Sequence, residues 1–192
     1  LLAHRSPPLS EIIVILNKES QNLYAELLIR TIGVNRPVPK KDKDETPSSA
    51  EMGILSAMTT YARAKMDTSR INLFDGSGLS RMNPVTADMT ANLLTYMWRH
   101  ENPGVRQSYY NSLPIGGVDG TLEDRFRRGL SFHNVRAKTG TLTGASSLSG
   151  YVSSAAGTPL LFVLMCNNFT VKTSSVRRTQ NAIVTLLSNY EK

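Results

Sequence analysis

An α/β chain of the α+β type, an antiparallel sheet flanked by helices, is the fold class this sequence predicts. Two observations carry it. Residues 134–144, 146–154 and 159–167 read as three strands at hairpin spacing, which makes an antiparallel meander. Before and after them, apolar residues recur at helical spacing, between polar stretches that hold the prolines and glycines. With 192 residues and 40% hydrophobic content, the chain is long and apolar enough for a core of single-domain size.

Residues 10–31 read as helical with a break near 17–20, because Leu23, Leu27 and Leu28 resume the apolar spacing after a polar run. Residues 36–50 hold Pro37, Pro39 and Pro47 among charges and read as a surface loop. A helix then opens at Ser49-Ala50-Glu51 and runs to about Met66, with Met52, Leu55, Met58 and Thr59 on one face and Glu51 in a capping role. Asp75-Gly76-Ser77-Gly78 lacks the ending and spacing of a phosphate loop, so it reads as a tight turn in which Asp75 accepts local backbone bonds. Residues 86–100 form a helix capped at Thr86 or Asp88, with Met89, Leu93, Tyr96 and Met97 toward a core and Trp98 at its margin.

Residues 114–122 form a loop leading into a short helix to about Arg128, and Asp119 reads as a turn or cap residue. The apolar run 160–166 has the pattern of a central strand, and it buries the single cysteine, Cys166, as an inert thiol. Residues 179–190 close the chain as an amphipathic helix with Ile183, Leu186 and Leu187 inward.

The net charge of +7 and a pI near 9.7 raise the possibility of a nucleic-acid partner. The charges are scattered, however, in small groups such as Lys40-Lys41, Arg127-Arg128 and Arg177-Arg178, with no recognition motif, so no nucleic acid is expected. His4, His100 and His133 have no metal-ligand spacing, and no metal or other cofactor is implied. The apolar run 160–166 is too short to span a bilayer.

Chemistry concentrates in Val135-Arg136-Ala137-Lys138-Thr139-Gly140-Thr141-Leu142-Thr143-Gly144. Strand alternation puts Lys138 and Gly140 on one face and Thr139 and Thr141 on the other. A glycine there lets another backbone lie close. A second element, Ser20-Gln21-Asn22, stands at the mouth of a helical segment, where its side chains can leave the helix and face a site. Lys-Thr-Gly and Ser-x-Asn in combination resemble signature elements of penicillin-recognising serine acyltransferases.

The wider contexts resemble the class C low-molecular-mass penicillin-binding proteins, the D-alanyl-D-alanine carboxypeptidase/endopeptidase family. The matching stretches are SPPLSEIIVILNKESQNLYAELLIRTIG (6–33), FDGSGLSRMNPVT (74–86), GGVDGTLEDRF (116–126) and VRAKTGTLTGASSLSGYV (135–152). The resemblance implies a transpeptidase-like fold shared with serine β-lactamases, of which residues 1–192 would be the C-terminal part. It also implies residence in the periplasm or elsewhere outside the cytoplasm, peptidoglycan stem peptides as substrate and β-lactam antibiotics as substrate mimics.

Site roles follow from the same resemblance. Acyl transfer needs a positioned base and oxyanion donors already in place, a term of ~3 kcal/mol per donor. Ser20 would relay a proton to the departing amine, with Lys138 polarising its hydroxyl, and Asn22 would hold the acyl-side amide. Thr139 and Thr141 would bind the terminal carboxylate alongside Lys138, the Thr141 N–H would serve the oxyanion, and Gly140 would permit close approach. One departure stands out: no serine of the 192 residues is followed three positions later by lysine, so the Ser-x-x-Lys nucleophile motif is absent. The expectation is a C-terminal piece of a longer enzyme, inactive alone and partnered by an N-terminal part of the same protein. The alternatives are a serine β-lactamase or esterase of the same fold, or a catalytically silent module that binds cell-wall peptide.

Overall fold

The computed structural model describes residues 5–35 and 47–191. They form two compact units, each with its own core: one is the segment ending at Ser20 together with that beginning at Met97, the other runs Gln21–Tyr96.

In the Gln21–Tyr96 unit, helix α2 (Asn22–Asn35) follows the break expected after helix α1 (Leu9–Lys18), which belongs to the other unit. Of the loop expected at 36–50, residues 36–46, with Pro37 and Pro39, lie outside the described residues, as do His4 and Lys40-Lys41. Helix α3 (Ser49–Arg63) takes up the loop's last positions. Its start is a capping box: Ser48 Oγ accepts from the Glu51 N–H at 3.3 Å and Glu51 Oε2 accepts from the Ser48 N–H at 2.6 Å, the role expected of Glu51.

The face of α3 differs from expectation. Gly53 is buried, while Leu55 is 46% exposed and Thr59 is exposed. A glycine pair turns the helix: a Cβ on Gly33 would strike the Ser49 carbonyl and one on Gly53 the Ile29 carbonyl, so the α2 and α3 backbones meet directly. Ala64, Met66, Ile71 and Met89 make the unit's core, with Met58, Tyr61, Leu73 and Leu93 packed against it. Helix α4 (Ala87–Trp98) is capped by Thr86, whose Oγ1 accepts from the Met89 N–H at 3.2 Å, and it buries Leu94 in addition to Met89. Asp75 holds its turn as expected, accepting from the N–H groups of Gly78 at 2.6 Å and Ser80 at 2.7 Å. Leu23, Leu27, Phe74, Leu79, Met82 and Val85 all remain exposed.

The other unit holds the sheet, in the order β1 (Arg136–Leu142), β2 (Ala145–Ser153), β3 (Pro159–Asn167), both pairings antiparallel. The predicted meander is therefore present. Its core is Leu122, Phe126, Val135, Ala137, Leu148, Val152, Phe162 and Val184. β3 was expected to be central, but among the described strands β2 lies in the middle; β3 is fully buried only at Phe162, and Cys166 is partly buried. A continuous apolar run reports cover on both faces and says nothing about which edges are paired.

Helix α5 (Pro103–Ser112) was not anticipated, although Asn102 accepts from the Gly104 and Val105 N–H groups at 2.9 and 3.2 Å and Pro103 occupies the first turn, a readable start signal. The helix expected up to Arg128 is a single 3₁₀ turn, Gly120–Leu122, and the left-handed Phe126 (φ 59°) bars a helix from running on through it to Arg128. Helix α6 (Thr173–Ser188) starts before the expected Thr179 and is rotated: Val176, Gln180, Val184 and Ser188 face inward, with Leu187 packed on the core as expected, whereas Ile183 is exposed and Leu186 is 71% exposed. The cause is Gln180, a polar residue in a core position, whose Nε2 donates to Ser146 O and Oγ, both at 3.3 Å.

Candidate active site

Ser20 and Lys138, 118 positions apart in sequence, are brought together: Lys138 Nζ donates to Ser20 Oγ at 2.7 Å and to its own neighbour's carbonyl, Thr139 O, at 2.9 Å. Both belong to the same unit. Burial drives the Lys138 pKa down to about 8, since the charged ammonium loses water that the two oxygens only partly replace. A lysine so placed can exchange a proton with a hydroxyl near neutral pH, which a solvated one cannot do readily.

Local structure aims the hydroxyl. After α1 ends, the chain passes through Ser20 at φ 55°, the left-handed conformation that usually selects glycine. Three contacts fix this corner. Asn17 Nδ2 donates to Ser112 Oγ at 2.7 Å. Lys18 pairs with Asp119, whose other carboxylate oxygen accepts from the Ile115 N–H at 2.8 Å. Gly120 lies so close to the Lys18 carbonyl that a Cβ there would clash. Asp119 is thus a turn residue, as expected, and also the anchor of the α1 terminus, which its sequence context did not disclose.

Strand β1 carries the rest. Gly140 faces Ser147 across the ladder, and a Cβ at 140 would sit 2.5 Å from Ser147 Oγ, so the glycine keeps the Lys138 face open beside a serine hydroxyl. On the opposite face, Thr139 Oγ1 donates to Thr121 Oγ1 at 2.9 Å, and Thr141 Oγ1 accepts from Arg177 Nη2 at 3.3 Å. Thr141 pairs with Ser146, the residue Gln180 of α6 also bonds, which explains why α6 reaches this end of the strand. Asn22, the first residue of α2, is exposed and lies in the Gln21–Tyr96 unit. Sequence reasoning missed Thr121 and Arg177: a threonine in a turn and one arginine of an Arg-Arg pair on a helix carry no signal of their own.

A profile of the D-Ala-D-Ala carboxypeptidase 3 (S13) family matches residues 1–190. A D-alanyl-D-alanine carboxypeptidase of Actinomadura sp. is 35% identical over 99% of this chain and 34% of its own length. The chain therefore spans about a third of that relative. Among solved structures, penicillin binding protein 4 (dacB) of Haemophilus influenzae in complex with a novel β-lactam superposes with a TM-score of 0.83 at 28% identity, over 97% of this chain and 43% of that one. A variant of the last common ancestor of Gram-negative bacteria class A β-lactamase gives a TM-score of 0.63 at 20% identity over 93% of this chain and 62% of that one, a likeness of fold alone. The mixed α/β architecture with its antiparallel sheet is the fold of these proteins.

Proposed function

The chain belongs to the D-Ala-D-Ala carboxypeptidase 3 (S13) family, and on that premise we propose that it is the C-terminal part of the transpeptidase-like domain of a serine-type D-Ala-D-Ala carboxypeptidase/endopeptidase. The whole enzyme acts on peptidoglycan stem peptides outside the cytoplasm, takes β-lactams as substrate mimics and receives its Ser-x-x-Lys nucleophile from an N-terminal part of the same protein. The observation that carries this reading is the 2.7 Å bond from a buried Lys138 to Ser20.

In this mechanism the nucleophilic serine attacks the carbonyl of the bond between the two D-alanines, and the proton it sheds must reach the departing amine. Ser20 passes its hydroxyl proton to that nitrogen and is resupplied from the Lys138 side, which holds Ser20 polarised throughout. Asn22 holds the acyl-side amide. Thr139 and Thr141 take the terminal carboxylate, and the Thr141 N–H gives one oxyanion donor. Gly140 leaves room for the extended peptide beside the strand.

The test is fluorescent-penicillin labelling of the intact enzyme. Lys138→Ala abolishes acylation, whereas Cys166→Ala, a partly buried thiol in β3, leaves it nearly unchanged. Loss of labelling on Cys166→Ala in folded protein, or its persistence in Lys138→Ala, overturns the serine mechanism assigned to this site.

A further inference from the structure

The carboxylate-binding side of β1 lacks the charge expected of it. Lys138 points to the other face, where it donates to Ser20 Oγ and Thr139 O. On the Thr139 and Thr141 face stands Arg177, whose Nη2 lies 3.3 Å from Thr141 Oγ1. Arg177 is exposed and stands at the first inward turn of α6, beside the buried Val176 that fixes the helix phase.

A second arginine stands close by. Arg125 is buried, with its guanidinium held by neutral oxygens only, Nε on Asn181 Oδ1 at 2.9 Å and Nη2 on Gln180 Oε1 at 3.2 Å. Burial first, and repulsion from Arg177 second, together lower its pKa to about 10. No ion pair among the described residues includes either arginine. Two guanidiniums that repel each other, without a carboxylate between them, beside an exposed threonine hydroxyl, form a place that gains from an incoming anion.

We propose that Arg177 binds the ligand's carboxylate together with Thr141 and so sets the preference of the site for ligands with a free carboxylate; this rests on the function proposed above. The guanidinium presents a planar fork that a carboxylate can meet with two bonds, which Lys138, turned to Ser20, cannot supply. Arg125 contributes field from behind without touching the ligand.

The experiment measures second-order acylation rates of the intact enzyme by benzylpenicillin and by its methyl ester. Arg177→Gln is expected to slow the free acid about tenfold, the loss of one charge-assisted hydrogen bond, while leaving the ester unchanged. Arg177→Lys recovers part of the loss, and Arg178→Gln, one position along the helix with its guanidinium on Ser175 Oγ, changes neither rate. Added salt lowers the acid-to-ester ratio in the wild type and has little effect on that of Arg177→Gln. Equal losses on both ligands, or an unchanged ratio, overturn the role of Arg177. A wild-type enzyme acylated by neither ligand overturns the proposed function itself, so the two failures are told apart.

Discussion

Ser20 occupies a backbone position that glycine would fill at lower cost, with φ at 55°. A side chain in that conformation costs roughly 1–2 kcal/mol, so what Ser20 contributes is its hydroxyl, held 2.7 Å from Lys138 Nζ. The lysine is paid for in stability as well. Its pKa falls from 10.5 in the unfolded chain to about 8 when folded, so between those values the unfolded chain binds more protons. The sign follows: stability from this group is full above the unfolded value and is lost as pH falls through about 8. Thermal denaturation of the intact enzyme therefore shows wild type gaining on Lys138→Met as pH rises from about 7 to 9.5. A gap between the two that stays constant over that interval contradicts a desolvated Lys138.

At the scale of elements, two junctions decide where site residues fall. The break between α1 and α2 puts Ser20 outside both helices, and the Lys18–Asp119 pair ties it to the turn that carries Thr121. The α2–α3 junction depends on Gly33 and Gly53, where the backbones leave no room for a Cβ. Gly53→Ala is expected to destabilise the enzyme by about 1–3 kcal/mol through overpacking. Leu55→Ala, on the exposed side of the same helix, stays within about 0.5 kcal/mol. Chemical denaturation of both variants checks this, and equal effects contradict the glycine contact as what sets the α3 face.

At the scale of the whole molecule, the Ser20–Lys138 contact and the proposed recognition edge lie in a chain whose 192 residues contain no Ser-x-x-Lys pair. The chain expressed alone is expected to form no covalent adduct with a fluorescent penicillin, while the intact enzyme does. A stable, active-site-directed adduct on the isolated chain, found by intact-mass analysis, shows that a serine of this chain is the nucleophile.

The candidate set Ser20, Asn22, Lys138, Thr139, Gly140 and Thr141 came from the family resemblance and stands as a proposal; what local chemistry made legible in the sequence is the meander, the break before Leu23, the Ser48–Glu51 start of α3 in its capping role and the Asp75 turn. Each depends on neighbours within a few positions, where alternation, capping and turn preferences act. Tertiary structure alone decided the rest. The rotation of α6 follows from Gln180 bonding Ser146 across 34 positions, and that of α3 from two glycines on different helices. The pairing of Lys138 with Ser20, the anchoring of Lys18 by Asp119 and the placing of Arg177 at Thr141 join residues far apart in the chain, which no local periodicity encodes. Where such groups are buried, as at Lys138 and Gln180, an unmet polar group is costly, so they satisfy one another.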